Sequence, residues 1–324
     1  MSAARDQTEV LRVRVRRLGR DGPEVPVVGL GTWPLAGGMG SVDRDLALST
    51  IHAAVSNGLT LIDTAEGYGD AEAIVGQALC AGRRASCFIA TKVSADFSRR
   101  GVERAIENSL RALHTDYVDL YQVHRFPANT PIEETMEAMH AILKAGKARY
   151  VGVSNFTVEQ LGAAERVTSV VSNQVNYNLF LRSLEKRMLS YCRAQGIGLI
   201  AHSTLGKGLL TGSYHPGHMF PDDDERSRFP LYHGRRLESY LQAADELSGI
   251  AAERGLSVVE LALAWALRIP QMAAALVGAT DPNQVEIAAG AAEIDLSDDE
   301  LLRIDRLLAD RKLEPLAPNP SQVV

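Results

Sequence analysis

The chain has 324 residues, with 34 Lys+Arg against 40 Asp+Glu for a net charge of −6. A mildly acidic chain with scattered basic residues argues against nucleic acid as the main partner. With 46% hydrophobic residues it has material for a large core, and no apolar run approaches the ~18 residues of a membrane span. The start, MSAARDQTEV, lacks the apolar segment of a signal peptide, and Cys80, Cys87 and Cys192 are an odd, widely spaced set. The expectation is a cytoplasmic protein with reduced thiols.

The polar, Arg-rich beginning has little to bury and reads as a flexible arm over 1–15, followed by one domain over 16–312 and a tail over 313–324. RDGPE (20–24) lies between two short β-like pieces and predicts a hairpin. Short apolar runs then alternate with amphipathic stretches: VVGLG (27–31) and a helix near 43–57, LTLID (59–63) and 70–82, CFIATK (87–92) and 98–113. YVDLYQVH (117–124) precedes a helix near 132–145, ARYVGVSNF (148–156) one near 157–166, and SNQVNYN (172–178) one near 183–195. GLIAHS (198–203) leads to a later helix, and AAALVG (273–278) to one near 282–292.

These eight continuous apolar strands indicate a parallel sheet covered on its outer face. Eight βα units in this length fit a closed (β/α)8 barrel of the α/β class, with extra C-terminal helices. No GxGxxG follows the first strand, which removes the main support for a Rossmann fold. The rhythm breaks after TGSY (211–214), where some forty residues precede a helix at about 256. A polar insertion of this length at a barrel rim reads as a lid or specificity loop. A last helix near 297–309 places Leu301, Ile304, Leu307 and Leu308 on one face, for packing across the bottom or side of the barrel.

Polar groups at the C-terminal ends of barrel strands share one rim. Asp63 ends LTLID, Lys92 ends CFIATK, His124 ends YVDLYQVH, and Tyr68 follows in the AEGYG loop. Only six of the 34 basic residues are Lys, and a Lys closing an apolar strand is costly unless paired, with Asp63 the natural counter-ion.

With these residues in place, the chain resembles an aldo-keto reductase. The resemblance rests on GLGTW, LIDTAEGYGDAEAIVGQAL (61–79), TK (91–92), SLRALHTDYVDLYQVH (109–124), TPIEETMEAM (130–139) and GKARYVGVSNF (146–156). NQVNYNLF (173–180) and LGKGLLTG (205–212) continue it, and it leans toward the bacterial-type and potassium-channel β-subunit-like branch. It implies the (β/α)8 barrel and a catalytic tetrad of Asp63, Tyr68, Lys92 and His124. Carbonyl reduction needs a hydride at carbon, which a nicotinamide supplies, and a proton at oxygen. Tyr68 would be the acid; the Lys92 ammonium favours its phenolate, and a two-unit drop in pKa would need about 2.7 kcal/mol. Asp63 would hold Lys92, and His124 would polarise the carbonyl as a neutral donor or relay a proton to Tyr68.

The same resemblance places the cofactor against Gly31, Thr32, Asp63, Ser154, Asn155, Gln174, His202, Ser203, Leu205, Lys207, Gly208, Leu210, Gly278, Thr280 and Gln284. Ser154, Asn155 and Gln174 would hold the carboxamide, while the loop with Lys207 and Gly208 would wrap the pyrophosphate. Trp33, Tyr68, His124 and Arg125 would line the substrate pocket for a small-molecule carbonyl, and Arg125 hints at a polar or anionic substrate group.

Several positions depart from the family pattern. His202 replaces an aromatic residue, most often Tyr, that stacks on the nicotinamide, and the loop after Tyr68 is short. Thr280 stands where relatives place a basic residue for the 2′-phosphate, Asp281 follows, and Gln284 replaces an Arg. NADPH with weakened selectivity, and activity with NADH, is therefore expected. His215, His218 and Asp222–Asp224 resemble a metal cluster, but a polar lid loop offers no partner and no metal is expected. Two other functions compete: a cofactor-binding, redox-sensing regulatory subunit with little turnover, and a metal-dependent barrel hydrolase, which has too few ligands at its strand ends. The chain does not define an oligomeric state, and a homo-oligomer is compatible with it.

Overall fold

In the computed structural model, which describes residues 13–80, 82–311 and 313, β1 (Val15–Arg17) and β2 (Glu24–Pro26) form the antiparallel hairpin expected around RDGPE. Most of the expected arm and tail lies outside the described residues, and Val15 already belongs to β1. Eight strands follow: β3 (Val28–Gly31), β4 (Leu61–Asp63), β5 (Phe88–Val93), β6 (Val118–Val123), β7 (Ala148–Ser154), β8 (Ser172–Asn176), β9 (Gly198–His202) and β10 (Met272–Val277). Each pairs in parallel with its neighbours, and β10 closes onto β3 to complete the barrel. Every residue of β6 and β10 is buried, as the continuous apolar runs require when both faces are covered.

The outer helices are α1 (Arg44–Ser56), α2 (Ala71–Ala78), α3 (Arg99–Ala112), α4 (Ile132–Lys144), α5 (Val158–Glu165), α6 (Met188–Gln195), α7 (Gly234–Ala252), α8 (Val258–Leu267), α9 (Pro282–Gly290) and α10 (Asp298–Arg311). Their starts are locally encoded. Asp43, Ser98 and Asp281 cap α1, α3 and α9, while Thr157 and Ser257 begin α5 and α8 with reciprocal capping boxes. The helix expected near 183–195 begins with a separate 3-10 turn at Ser183–Glu185 before α6.

The forty-residue insertion divides in two. Its first half crosses the rim as a strap with two 3-10 turns, Glu225–Arg228 and Pro230–Tyr232, and its second half is α7, packed on α8 and α10. Helix α10 thus lies on the side of the barrel, with Ile304 buried. The hairpin plugs the opposite end: Leu18 and Val25 bury with Leu61, Ala90, Leu120 and Ile200. Arg16 donates there to the carbonyls of Leu267 and Met272. Among the described residues no helix is long and apolar enough to cross a membrane.

Candidate active site

With the hairpin end closed, the only ends of the strands left to build on are the C-terminal ones. There a cavity of about 1030 Å³ runs under the strap, at the upper limit of ordinary small-molecule pockets. Parallel pairing of β4 with β5 sets Asp63 beside the strand that carries Lys92. The Lys92 ammonium is completely buried and spends its three donors on Asp63 Oδ1 (2.5 Å), the Thr64 carbonyl (2.9 Å) and the Tyr68 hydroxyl (3.4 Å). Burial opposes its charge, yet the Asp63 carboxylate and the Tyr68 oxygen outweigh that and raise its pKa.

Tyr68 lies at the cavity wall, edge-on to Trp33 with ring centroids 5.0 Å apart. Its hydroxyl is 3.5 Å from His124 Nε2. Removal from water raises the phenol above its ordinary value near 10, and Lys92 offsets only part of that. The depressed pKa expected from Lys92 alone is therefore corrected: desolvation is the larger effect, and Tyr68 is protonated at neutral pH. Burial, aided by the charge of Lys92, drives His124 down to about 2, so its imidazole is neutral. The other ring nitrogen, Nδ1, lies 2.7 Å from Ser94 Oγ.

Beyond this group the cavity divides by chemistry. Next to Asp63 stand amides and hydroxyls. Gln174 donates to Asp63 Oδ2 at 2.7 Å, the Ser154 hydroxyl donates to the Gln174 carbonyl, and Asn155, at φ 61°, donates to Ser154 Oγ. His202 Nε2 lies 2.9 Å from Asn155 Oδ1, and burial lowers its pKa to about 3, so it donates as a neutral ring.

Further along, Ser203, Leu205, Lys207 and Gly208 form a tight loop in which Ser203 and Lys207 take positive φ. A Cβ on Gly208 would stand 2.6 Å from the Tyr214 ring, so the strap can approach only because the side chain is missing. Gly278, Thr280 and Gln284 line the cavity after β10, Gly31 lies in register with Asp63, and Arg125 is an exposed lining residue. Gln284 Oε1 accepts from Thr280 N–H, and the Asp281 carboxylate takes the first amides of α9.

Two residues expected at the cavity lie behind its wall. Thr32 is fully buried and donates to the Asp63 carbonyl, and Leu210 is fully buried in the core. Sequence reasoning also missed residues that the fold brings in. Glu225 of the strap accepts from Trp33 Nε1 (3.1 Å) and Lys207 Nζ (2.7 Å), spanning the cleft. Glu66 accepts from the backbone of Ser94 and Ala95, which ties the Tyr68 loop to β5. Of the metal-like cluster, His218 packs on the rings of Tyr214 and Phe220, while Asp224 pairs with Arg226.

A parallel barrel with a large polar cleft on its C-terminal rim is the scaffold of a barrel enzyme. The sequence model of the Aldo/keto reductase family matches residues 27–309, and the chain belongs to this family of oxidoreductases. It is 38% identical over 311 residues to Aldo-keto reductase YhdN of Bacillus subtilis (strain 168), covering 92% of this chain and 94% of that one. A probable voltage-gated potassium channel subunit beta of Arabidopsis thaliana is 33% identical over 299 residues, 85% of this chain and 89% of that one. Among solved structures, the glycerol dehydrogenase AKR11B4 from Gluconobacter oxydans superposes with a TM-score of 0.84 at 34% identity, covering 94% of this chain and 98% of that one. An aldo/keto reductase from Klebsiella pneumoniae, in complex with NADP and acetate, gives 0.75 at 32% identity, with 96% and 98% covered.

Proposed function

We propose that the protein is an NAD(P)H-dependent oxidoreductase that reduces an aldehyde or ketone to an alcohol, with Tyr68 as the proton donor. The observation that carries this reading is the Tyr68 hydroxyl, held protonated at the cavity wall between a buried, charged Lys92 and a neutral His124. The donor set fits a dinucleotide: neutral amides and hydroxyls beside Asp63 suit a carboxamide, and the glycine-bounded loop with Lys207 suits a diphosphate. The Klebsiella relative is described in complex with NADP. When bound, a nicotinamide supplies hydride to the carbonyl carbon. Ser154, Asn155 and Gln174 would orient it; Tyr68 and His124 would donate to the carbonyl oxygen, and Tyr68 would release its proton there. Lys92, kept charged by Asp63, would stabilise the phenolate left behind.

At the far end a 2′-phosphate of roughly −1.5 to −2 charges would meet Thr280 and Gln284, beside the Asp281 carboxylate that caps α9, rather than a guanidinium. This supports NADPH binding with weak selectivity and real activity with NADH. An NADPH preference above about a hundredfold in dissociation constant, or about 2.7 kcal/mol, would overturn that part. The likeness to the channel β-subunit keeps a second reading open, a cofactor-binding regulatory subunit with little turnover. Free Cys80, Cys87 and Cys192 are consistent with action in the cytoplasm.

Steady-state oxidation of NADPH and NADH with a panel of aldehydes and ketones tests the reading. Turnover that falls at least a hundredfold in Tyr68→Phe, with cofactor affinity kept, is the expected result. A Tyr68→Phe variant as active as the wild type would remove the proposed acid, and no turnover of any carbonyl would favour the regulatory subunit.

A further inference from the structure

His124 is neutral, so its ring has one proton to place on two nitrogens. Nδ1 faces the Ser94 hydroxyl at 2.7 Å, and Nε2 faces the Tyr68 hydroxyl at 3.5 Å and the cavity. Which nitrogen carries the proton decides what the cavity offers a carbonyl oxygen. With Nε2 protonated, the imidazole and the Tyr68 hydroxyl are two donors converging on one side of the cleft. With Nδ1 protonated, Nε2 is an acceptor and draws the Tyr68 proton toward itself.

We propose that Ser94 is a positioning residue that fixes His124 in the Nε2–H form. The reasoning is a donor and acceptor inventory. Ser94 is buried, and its oxygen already accepts from the Gly67 N–H at 3.3 Å. Its hydroxyl proton has one acceptor among these contacts, His124 Nδ1. The opposite tautomer would make Ser94 Oγ accept twice and leave its own proton, at the cavity wall, with no acceptor among these contacts. The backbone of Ser94 is held in turn, since its N–H donates to Glu66 Oε2 at 2.8 Å. Glu66, Gly67 and Tyr68 are consecutive, so the loop that presents the phenol also aims the serine that orients the histidine. Burial and the charge of Lys92 keep the imidazolium from forming, which leaves the tautomer as the only variable.

The kinetic consequence rests on the carbonyl-reductase reading, whereas the tautomer is readable without any substrate. Protein labelled with 15N-histidine is examined by NMR near pH 7, with the His124 signals identified by their loss in His124→Gln. The expected wild-type result is that the unprotonated ring nitrogen, downfield of its partner, is Nδ1. In Ser94→Ala the Nδ1–H form gains population and kcat/KM for an aldehyde falls about tenfold or more, while cofactor affinity stays within about twofold. Trp33 fluorescence, which senses the Tyr68 ring beside it, stays unchanged, and Ser94→Thr restores the wild-type tautomer. A protonated Nδ1 in the wild type, or a tautomer indifferent to Ser94→Ala, overturns the proposal. If the tautomer behaves as stated and no carbonyl is reduced, the proposed activity fails and the role of Ser94 stands.

Discussion

Gln174 donates its side-chain amide to Asp63 at 2.7 Å, on the carboxylate oxygen that Lys92 leaves free. Gln122 approaches the same oxygen at 3.4 Å. The amide is thereby oriented: its nitrogen is committed inward, and its oxygen is the group left to meet a ligand. Strand β8 and the buried ion pair form one hydrogen-bonded unit. Gln174→Ala is expected to cost about 1–3 kcal/mol, because a buried acceptor loses its partner. Gln174→Glu should cost more, since it sets a second carboxylate against Asp63. Urea unfolding measures both, and a Gln174→Glu protein as stable as the wild type would refute the argument.

Lys92 and Asp63 are both buried, so removing one leaves the other uncompensated. Lys92→Met should lose about 3–5 kcal/mol of stability in denaturant titrations of the cofactor-free protein. The double change Lys92→Met with Asp63→Asn should recover a large part of it. If the two losses simply add, the pair is not coupled and the account is wrong.

Glu225 neutralises Lys207 while it also receives the Trp33 indole N–H. In Glu225→Gln the indole keeps an acceptor, but Lys207 is released to attract an anionic cofactor. The association rate, followed by stopped-flow Trp33 fluorescence, should rise severalfold at low salt and converge on the wild-type rate at high salt. A rate that is unchanged or lower at low salt would show that the ion pair does not compete with the cofactor.

His124 and His202 are held neutral down to about 2 and about 3, against 6.5 when unfolded. Between these values the unfolded chain binds more protons than the folded one. Stability is therefore fully present above pH 6.5 and falls as pH drops, by about 1.4 kcal/mol per pH unit for each histidine. His202→Gln should remove one of the two contributions and flatten the decline between pH 6 and 4. Thermal melts across that range decide it, and an unchanged slope would mean that His202 is not protonated on unfolding as stated.

Much of this architecture could be read directly from the chain. The eight apolar runs became the eight barrel strands with ends shifted by a residue or two, because a strand buried on both faces leaves a local, continuous pattern. The caps of α1, α3, α5, α8 and α9 were equally local. The convergence of Asp63, Tyr68, Lys92 and His124 on one rim followed from strand-end positions once the barrel was recognised.

Contacts between distant segments had no such signal. Glu225 reaches Trp33 across 192 positions of sequence, and nothing near either residue marks the partner. The strap and α7 occupy one insertion, and residues of both halves, Phe220 and Tyr232 of the strap with Leu237 and Tyr240 of α7, meet in one apolar cluster. Thr32 and Leu210 sit next to cavity residues in sequence but are fully buried, Thr32 on the Asp63 carbonyl and Leu210 in the core, because neighbouring side chains diverge where a strand or turn ends. The upward shift of the Tyr68 pKa was likewise out of reach: composition and spacing identify Lys92 as a nearby cation, whereas the desolvation that outweighs it is a sum over every atom packed around the phenol. Periodicity is a property of neighbours along the chain; burial, side-chain direction and electrostatic balance exist only after the chain has closed on itself.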